Sequence, residues 1–242
     1  RNPGPIEPGA VLVVGSGQSG CQIADELRRH GRRVFLSTGR VGRLLRRYRG
    51  RDGIAWQHDM GLLDRTPDRL ESPDLRFRGD PHLTGEGGGR TLNLHRFAQE
   101  GVTLLGRLDA VEGRTLRFGD DLAANLSFAD DYAAEFCASI DAFVEARGLV
   151  VPDADLRNSD FGGPLRAPAP ATVTTLDLDA SGIRTVVWAT GFRYDFSWIE
   201  VPGCLDAYGY PLQRRGVSGT PGLFFIGLNW LHKRKSGIIF GV

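Results

Sequence analysis

The segment with the clearest chemical potential is a glycine-rich turn near the start of the chain. Its residues are Gly15, Ser16, Gly17, Gln18, Ser19 and Gly20. In this spacing the first glycine permits a tight turn, the second lets the backbone approach a pyrophosphate, and the third lets a following helix pack closely. The N–H groups and the positive dipole end of that helix then face the anion. The pattern predicts a dinucleotide site; the alternative is a glycine-rich turn without a ligand.

The residues after the next apolar run indicate which dinucleotide is bound. A site for NAD or FAD has an Asp or Glu here, which binds the ribose 2′-hydroxyl. This sequence instead has Ser37, Thr38 and Arg40, and it has no carboxylate between Glu26 and Asp52. Hydroxyl and guanidinium groups bind a phosphate that a carboxylate would repel. We therefore expect NADP, with these three residues around its 2′-phosphate; the alternative for Arg40 is a solvated side chain in an arginine-rich chain.

Two later segments also place small residues after an apolar run. We expect the first, Val186–Ala189, to be a buried strand that lets Ala189, Thr190 and Gly191 bring their backbone close to a cofactor.

The second segment, Leu223–Gly227, is also expected to be a buried strand, and it ends at Gly227. A basic loop follows, in which Lys235, Ser236 and Gly237 are predicted to approach a phosphate or the edge of a flavin. The alternative for this loop is a solvated basic turn.

The surrounding pattern supplies the elements that position these residues. Ala10–Val14 and Val34–Ser37 are short apolar runs, as in strands buried on both faces of a parallel sheet. An amphipathic segment, Cys21–His30, separates them and completes a βαβ unit. The sequence thus predicts an α/β fold with a Rossmann-like NADP-binding domain and a central parallel sheet.

Two further stretches have distinct patterns. Apolar residues recur at steps of three and four from about residue 121 to 147, and Gly148 follows, which predicts one long helix. Residues 40–90 are rich in Arg, Gly, Pro and Asp, so we expect an irregular excursion with one short helix around Asp59–Leu63.

Composition narrows the classes of partner. The chain has 242 residues, 41% hydrophobic and 24% charged, with a net charge of +1. These values are ordinary for a soluble globular protein, and they favour neither nucleic acid nor a membrane as partner. Its three cysteines form no CxxC and its five histidines have no metal-ligand spacing, so we expect no metal site and a reducing, cytoplasmic location.

Five segments in this order resemble the flavin-dependent monooxygenases, a class of two-dinucleotide flavoproteins. The segments are GSGQSG, STGR, RRYRGRDGIAW, VWATGFRYDFSWI and PGLFFIGLNWLHKRKSGIIFGV. The resemblance implies NADP and FAD as cofactors, with residues 1–185 as the NADP-binding domain. Residues 186–242 would be a return segment that forms the C-terminal remnant of a Rossmann-like FAD-binding domain.

The resemblance also implies a reaction. NADPH would pass hydride to FAD, and the reduced flavin would oxygenate a small organic substrate through a peroxyflavin. The alternatives are an NADPH-dependent flavoprotein reductase without oxygenation and a non-catalytic NADP-binding module. Catalytic residues are not assigned, and a homo-oligomer is left open.

Two departures from the class matter. The chain has a single GxGxxG, so the first half of the FAD domain is expected outside it, and Leu228 stands where many relatives place an Asp. We therefore expect this chain alone to bind no FAD tightly and to turn over nothing.

Overall fold

The computed structural model describes residues 6–77, 79–83, 89–154 and 166–238. These residues form two compact units. The first unit runs to Gly53 and continues from Gly79 to Gly191, and the second comprises the rest. The helices and strands, in chain order, are β1 (Ala10–Val14), α1 (Gln18–Arg29), β2 (Val34–Ser37), β3 (Arg47–Tyr48), β4 (Arg51–Asp52), α2 (Gly53–Asp59), α3 (Leu94–Gln99), β5 (Thr103–Leu105), β6 (Leu108–Glu112), β7 (Thr115–Phe118), α4 (Leu122–Arg147), β8 (Thr175–Asp177), β9 (Ile183–Trp188), β10 (Gln213–Arg214) and β11 (Val217–Ser218).

The first unit is built on a four-stranded parallel sheet with the order β5-β2-β1-β9. The register pairs Val11 with Val34 in β2, and Leu12 with Val186 in β9. The connection from β1 to β2 runs through α1, as the apolar runs and the amphipathic segment predict. The predicted α/β fold with a Rossmann-like unit and a central parallel sheet is confirmed.

Both faces of the sheet are covered at β1 and β2, whose residues are all buried, which explains why these two strands are continuous apolar runs. Val11 and Val13 face a cluster with residues of α1, α3 and the start of α4. Leu12 and Val14 face the opposite cluster, to which the antiparallel strands β6 and β7 contribute Leu116 and other apolar residues. Because successive side chains of a strand point to opposite faces, the same strands contribute to two hydrophobic cores, one on each face of the sheet.

The described residues between β5 and β9 include a three-stranded antiparallel sheet, β6-β7-β8, with α4 inserted between β7 and β8. Helix α4 spans Leu122–Arg147 and is capped by Gly148 at φ 59°. A left-handed residue at this position is what glycine permits, so the predicted helix and its end are both confirmed.

Within residues 40–90, the helix expected at 59–63 is displaced. Helix α2 spans Gly53–Asp59, and Gly61 adopts φ 70° directly before a short 3₁₀ turn at Leu62–Asp64. A residue in the left-handed conformation cannot continue a right-handed helix, so α2 does not extend past Gly61. The expected residues therefore straddle the end of the helix instead of forming it.

The second unit has little regular structure among its described residues. Among those residues β10 and β11 are the only paired strands, and the aromatic side chains of Tyr194, Phe196 and Tyr210 pack with ring centroids 5.6–6.0 Å apart. The prediction that Leu223–Gly227 forms a buried strand is wrong. Phe224 and Ile226 are 67% and 78% exposed, and Phe224 makes one isolated bridge, to Val217.

Strand β9 corrects another expectation. It forms as predicted, but it lies at the edge of the sheet and exposes alternate residues, with Trp188 at 65%. The domain boundary expected between residues 185 and 186 falls inside β9, and Ala189, Thr190 and Gly191 belong to the first unit. Across the described parts of the chain, every helix is too short or too polar to cross a lipid bilayer.

Candidate functional site

The glycine turn lies between β1 and α1 and touches the end of β9. Gly15 has φ 104°, and a Cβ atom there would lie 2.5 Å from the carbonyl oxygen of Ala189. A Cβ atom on Gly20 would overlap the carbonyl oxygen of Gly15. Both glycines are therefore required by close backbone packing, which is the role that the motif gives them.

Gly17 differs from the other two glycines because its missing side chain leaves open space. A Cβ atom on Gly17 would have no heavy atom within 4 Å. Gly17 is also the N-cap of α1, and among the described residues no side chain caps this helix or places an acid in its first turn. The first main-chain bond of the helix runs from Cys21 N–H to the carbonyl of Gly17, 3.0 Å.

This arrangement creates a place for an anion. The N–H groups of Gln18, Ser19 and Gly20 precede the repeating hydrogen bonds of α1, as at every helix start. Ser19 is exposed and Gln18 half-buried, whereas Ser16 is buried. The dipole of the helix favours negative charge at the same end.

The site also lies where the order of the sheet reverses. The chain leaves β1 towards β2 on one side, while β9 pairs with β1 on the other. Gly15 donates to the carbonyl of Ser37 at 3.0 Å, and Ala189 donates to the carbonyl of Val14 at 2.8 Å, so the three strand ends are level. Ligands of open α/β sheets bind in the crevice at such a reversal.

The structure thus brings together two predicted groups of site residues that are far apart in sequence. Ala189 lies beside the glycine turn: its carbonyl oxygen is 2.5 Å from where a Cβ on Gly15 would be, and its own Cβ is 3.3 Å from where a Cβ on Gly20 would be. Thr190 and Gly191 follow at once and are exposed.

Ser37 and Thr38 point into the protein rather than out of it. The Ser37 hydroxyl donates to the carbonyl of Gly106 at 2.9 Å and accepts from the N–H of Leu108 at 3.1 Å. The Thr38 hydroxyl donates to the carbonyl of Leu105 at 2.7 Å, and it accepts from the Asn125 amide at 3.3 Å. Their hydroxyls fasten the end of β2, so the binding of a phosphate by these side chains remains a prediction that this geometry does not favour.

Of the three residues predicted to surround the 2′-phosphate, Arg40 is the exposed one. Its guanidinium lies over the ring of Phe128 in α4, 4.7 Å from the ring centroid. A cation stacked on an aromatic ring keeps its charge and its N–H edge available while its position is restricted. Arg40 therefore presents positive charge beyond the end of β2.

A buried cluster lies beneath the glycine turn. His82 is 1% exposed, and its Nε2 bonds to the carbonyl of Ser16. The thiol of Cys21 donates to the same carbonyl at 3.3 Å, and the two side chains are 3.5 Å apart. Leu83, the next residue along, donates its N–H to Oε1 of Gln18 at 2.8 Å.

The groups in this cluster are uncharged at neutral pH. Burial lowers the pKa of His82 from 6.5 to about 4, the bond to Ser16 opposes this shift, and the nearby charge of Arg43 adds to it. Burial raises the pKa of the Cys21 thiol to about 12. His82 is therefore neutral, and its Nε2 serves as an N–H donor to Ser16.

The lowered pKa of His82 should make the stability of the fold depend on pH. The unfolded chain takes up a proton on His82 near pH 6.5, but the folded chain takes it up only near pH 4. We expect the free energy of unfolding to decrease as the pH falls through this interval. The variant His82→Gln cannot titrate and should lose less stability; urea unfolding near pH 7 and near pH 4.5 measures both, and equal losses would contradict the assignment.

In the second unit, the structure brings together only part of the predicted loop site. Gly227 and Ser236 line one open cavity of about 370 Å³. The Ser236 hydroxyl accepts from the N–H of Lys233 at 3.0 Å, and a Cβ on Gly237 would overlap the side chain of Asn229. These residues therefore stabilise their own turn.

Lys235 of this loop forms an ion pair within the protein. Lys233 and Lys235 lie 2.7 Å and 3.0 Å from one oxygen of Asp64, and they lower the pKa of that carboxyl to about 2. Across the described ranges, no group of three or more His, Cys, Asp and Glu side chains could hold a metal ion.

The chain is similar to bacterial proteins over its entire length. It is 28% identical over 243 residues to a Geobacillus kaustophilus protein named "Uncharacterized oxidoreductase CzcO-like", with all of this chain and 51% of that protein covered. It is 27% identical over 243 residues to the Bacillus subtilis protein "Uncharacterized oxidoreductase CzcO", again with all of this chain and 52% of the relative. The chain thus spans about half the length of these curated relatives. No protein-family model matches it.

Sequence reasoning missed three residues that shape the site: His82, Asn125 and Phe128. His82 carries no spacing signal, because it lies 66 residues after the Ser16 carbonyl that it binds. Asn125 is a polar residue on the buried side of α4, and that break in the apolar stripe is a signal that could have revealed it. Phe128 gives no comparable signal.

Proposed function

We propose that this chain binds NADPH at the glycine turn and serves as the NADPH-binding part of an oxidoreductase. The observation that carries the proposal is the open space at Gly17 beside the uncapped start of α1, at the reversal of the sheet. A pyrophosphate needs this combination of backbone access, N–H donors and a favourable dipole. The similarity to relatives that are named oxidoreductases supports a role in an oxidoreductase.

The residues present fit NADPH by their chemistry. The backbone around Gly17, Gln18 and Ser19 would hold the pyrophosphate, and Arg40 would bind the 2′-phosphate. An amide, Asn125, rather than a carboxylate bonds to Thr38 at the end of β2, so this position repels no phosphate. When bound, NADPH supplies a hydride to the acceptor of the reaction.

FAD is the proposed acceptor, and oxygenation of a small organic molecule is the proposed outcome, both on the strength of the sequence motifs. The described residues fit FAD only in part. Gly227 and Ser236 face a cavity beside the exposed apolar residues Phe224 and Ile226, but the sequence holds no second glycine turn for the pyrophosphate of FAD. The proposal therefore assigns FAD binding to a longer protein, of which this chain forms one part.

Titration of the 242-residue chain tests the binding proposal. We expect NADPH to bind more tightly than NADH. Arg40→Ala should weaken NADPH binding about 10- to 100-fold, because hydrogen bonds to a charged group contribute roughly 1.5–3 kcal/mol. The same substitution should leave NADH binding almost unchanged, and nicotinamide fluorescence reports both affinities.

Arg147→Ala is a matched control, because Arg147 also stacks on an aromatic ring of α4, 5.2 Å from Phe143, at the other end of the helix. It should change neither affinity. Equal losses of NADPH and NADH binding in Arg40→Ala would show that Arg40 does not read the 2′-phosphate. A purified chain that is yellow and consumes NADPH would show that the FAD site is complete within these residues.

A further inference from the structure

The peptide unit between Ser16 and Gly17 is held from beneath by two side chains. His82 and Cys21 both donate to the Ser16 carbonyl, and both lie outside the glycine turn itself. A trans peptide is planar, and its C=O and N–H groups point in opposite directions. Because the carbonyl points down to His82, the N–H of Gly17 points away from it.

A second tie holds the turn on the other side of Gly17. The side chain of Gln18 accepts the N–H of Leu83 at 2.8 Å, so adjacent residues 82 and 83 fasten both neighbours of Gly17. The backbone of His82 is itself fixed, since it donates to the carbonyl of Gly42 at 2.9 Å and accepts from the N–H of Leu44 at 3.2 Å. The turn is thus braced against the chain that follows β2.

We infer that His82 is a positioning residue for the dinucleotide: it fixes the Ser16–Gly17 peptide so that the Gly17 N–H and the start of α1 face the pyrophosphate. This inference rests on the proposed function. When the turn is already ordered in the free protein, binding does not have to supply the free energy for ordering it, and the affinity is higher. The Cys21 thiol lies 3.5 Å from Nε2 of His82, and burial together with the nearby charge of Arg43 keeps the imidazole a neutral donor.

His82 and Arg40 should therefore have different signatures. The pyrophosphate is common to NADPH and NADH, so loss of the His82 bond should weaken both by the same factor. Loss of Arg40 should weaken NADPH alone. A role of His82 in stability only would change neither affinity of the folded protein.

The test compares His82→Leu with His82→Gln in the 242-residue chain. Leucine fills the space without a donor, and we expect about tenfold weaker binding of both NADPH and NADH. Glutamine can place an N–H near the position of Nε2, and it should restore both affinities to within about threefold of the wild type. Ile140→Ala is the control: Ile140 is fully buried in α4, so the variant loses stability through packing and should bind both dinucleotides normally.

The outcomes separate the inference from the proposed function. A wild-type chain that binds neither dinucleotide would overturn the proposed function. A wild type that binds, with His82→Leu binding equally well while folded by circular dichroism, would overturn the inference. If His82→Leu does not fold, His82→Asn replaces it, because its shorter amide cannot reach the Ser16 carbonyl; wild-type affinity in that variant would again overturn the inference.

Discussion

Gly20→Ala is expected to destabilise the chain by about 3–5 kcal/mol and to abolish dinucleotide binding. The added Cβ would overlap the carbonyl oxygen of Gly15, which is backbone and cannot rotate away. Helix α1 would have to move off the end of β1, and the contact with Ala189 would be lost at the same time. Urea unfolding measures the loss of stability, and fluorescence titration with NADPH measures binding.

Gly17→Ala is the matched variant within the same turn, and it should lower binding without the large loss of stability. No heavy atom lies within 4 Å of a Cβ at this position, so the fold should lose at most about 1 kcal/mol, the ordinary cost of alanine as an N-cap. NADPH affinity should nevertheless fall more than about tenfold, because the methyl group would occupy the space that the proposed site gives to the pyrophosphate. Wild-type affinity in folded Gly17→Ala would contradict a ligand at this turn.

Asp130→Ala is expected to have the second large effect, a loss of about 3–5 kcal/mol in the free energy of unfolding. Asp130 is buried in α4, where one oxygen accepts from Arg43 at 2.8 Å and the other bonds to Nε2 of His95 at 2.9 Å. Removing the carboxylate takes away the negative charge that pairs with the buried guanidinium of Arg43. The variant should also loosen the chain after β2, which Arg43 ties to α4.

The neighbouring residue provides the control for this prediction. Asp131 is exposed and forms an ion pair with Arg166 at 2.5 Å, with half of each side chain in solvent. Solvent screens such pairs and competes for their hydrogen bonds, so Asp131→Ala should leave stability essentially unchanged. Urea unfolding of the two variants should therefore differ sharply, and similar values would show that the buried carboxylate contributes no more than the exposed one.

The parts of this fold that the sequence predicts well are those with a single physical solution. An apolar run followed by a spaced set of glycines and an amphipathic helix fits a parallel strand, a tight turn and a helix packed against them. The long helix was also predictable to its last turn, because its apolar residues recur at helical steps and Gly148 can adopt the left-handed conformation that ends it.

The parts that the sequence could not predict depend on which tertiary neighbours surround a side chain in the folded protein. Ser37 and Thr38 stand at a strand end where a hydroxyl can bind either a ligand or the next strand, and in this fold it binds the chain around Leu105 and Gly106. Phe224 and Ile226 belong to an apolar run that is typical of a buried strand. Burial requires a neighbour, and among the described residues Phe224 has only a single bridge to Val217.

The pairing of β1 with β9 determines when the glycine turn is completed. Ala10 pairs with Ile183, so the strand that carries the turn acquires one neighbour only after most of the chain has been synthesised. Contacts between residues so distant in sequence form slowly, because a long loop must close before they gain any free energy. Dinucleotide affinity would therefore serve as a late marker in refolding experiments, appearing after the local β1–α1–β2 segment has already formed its helix.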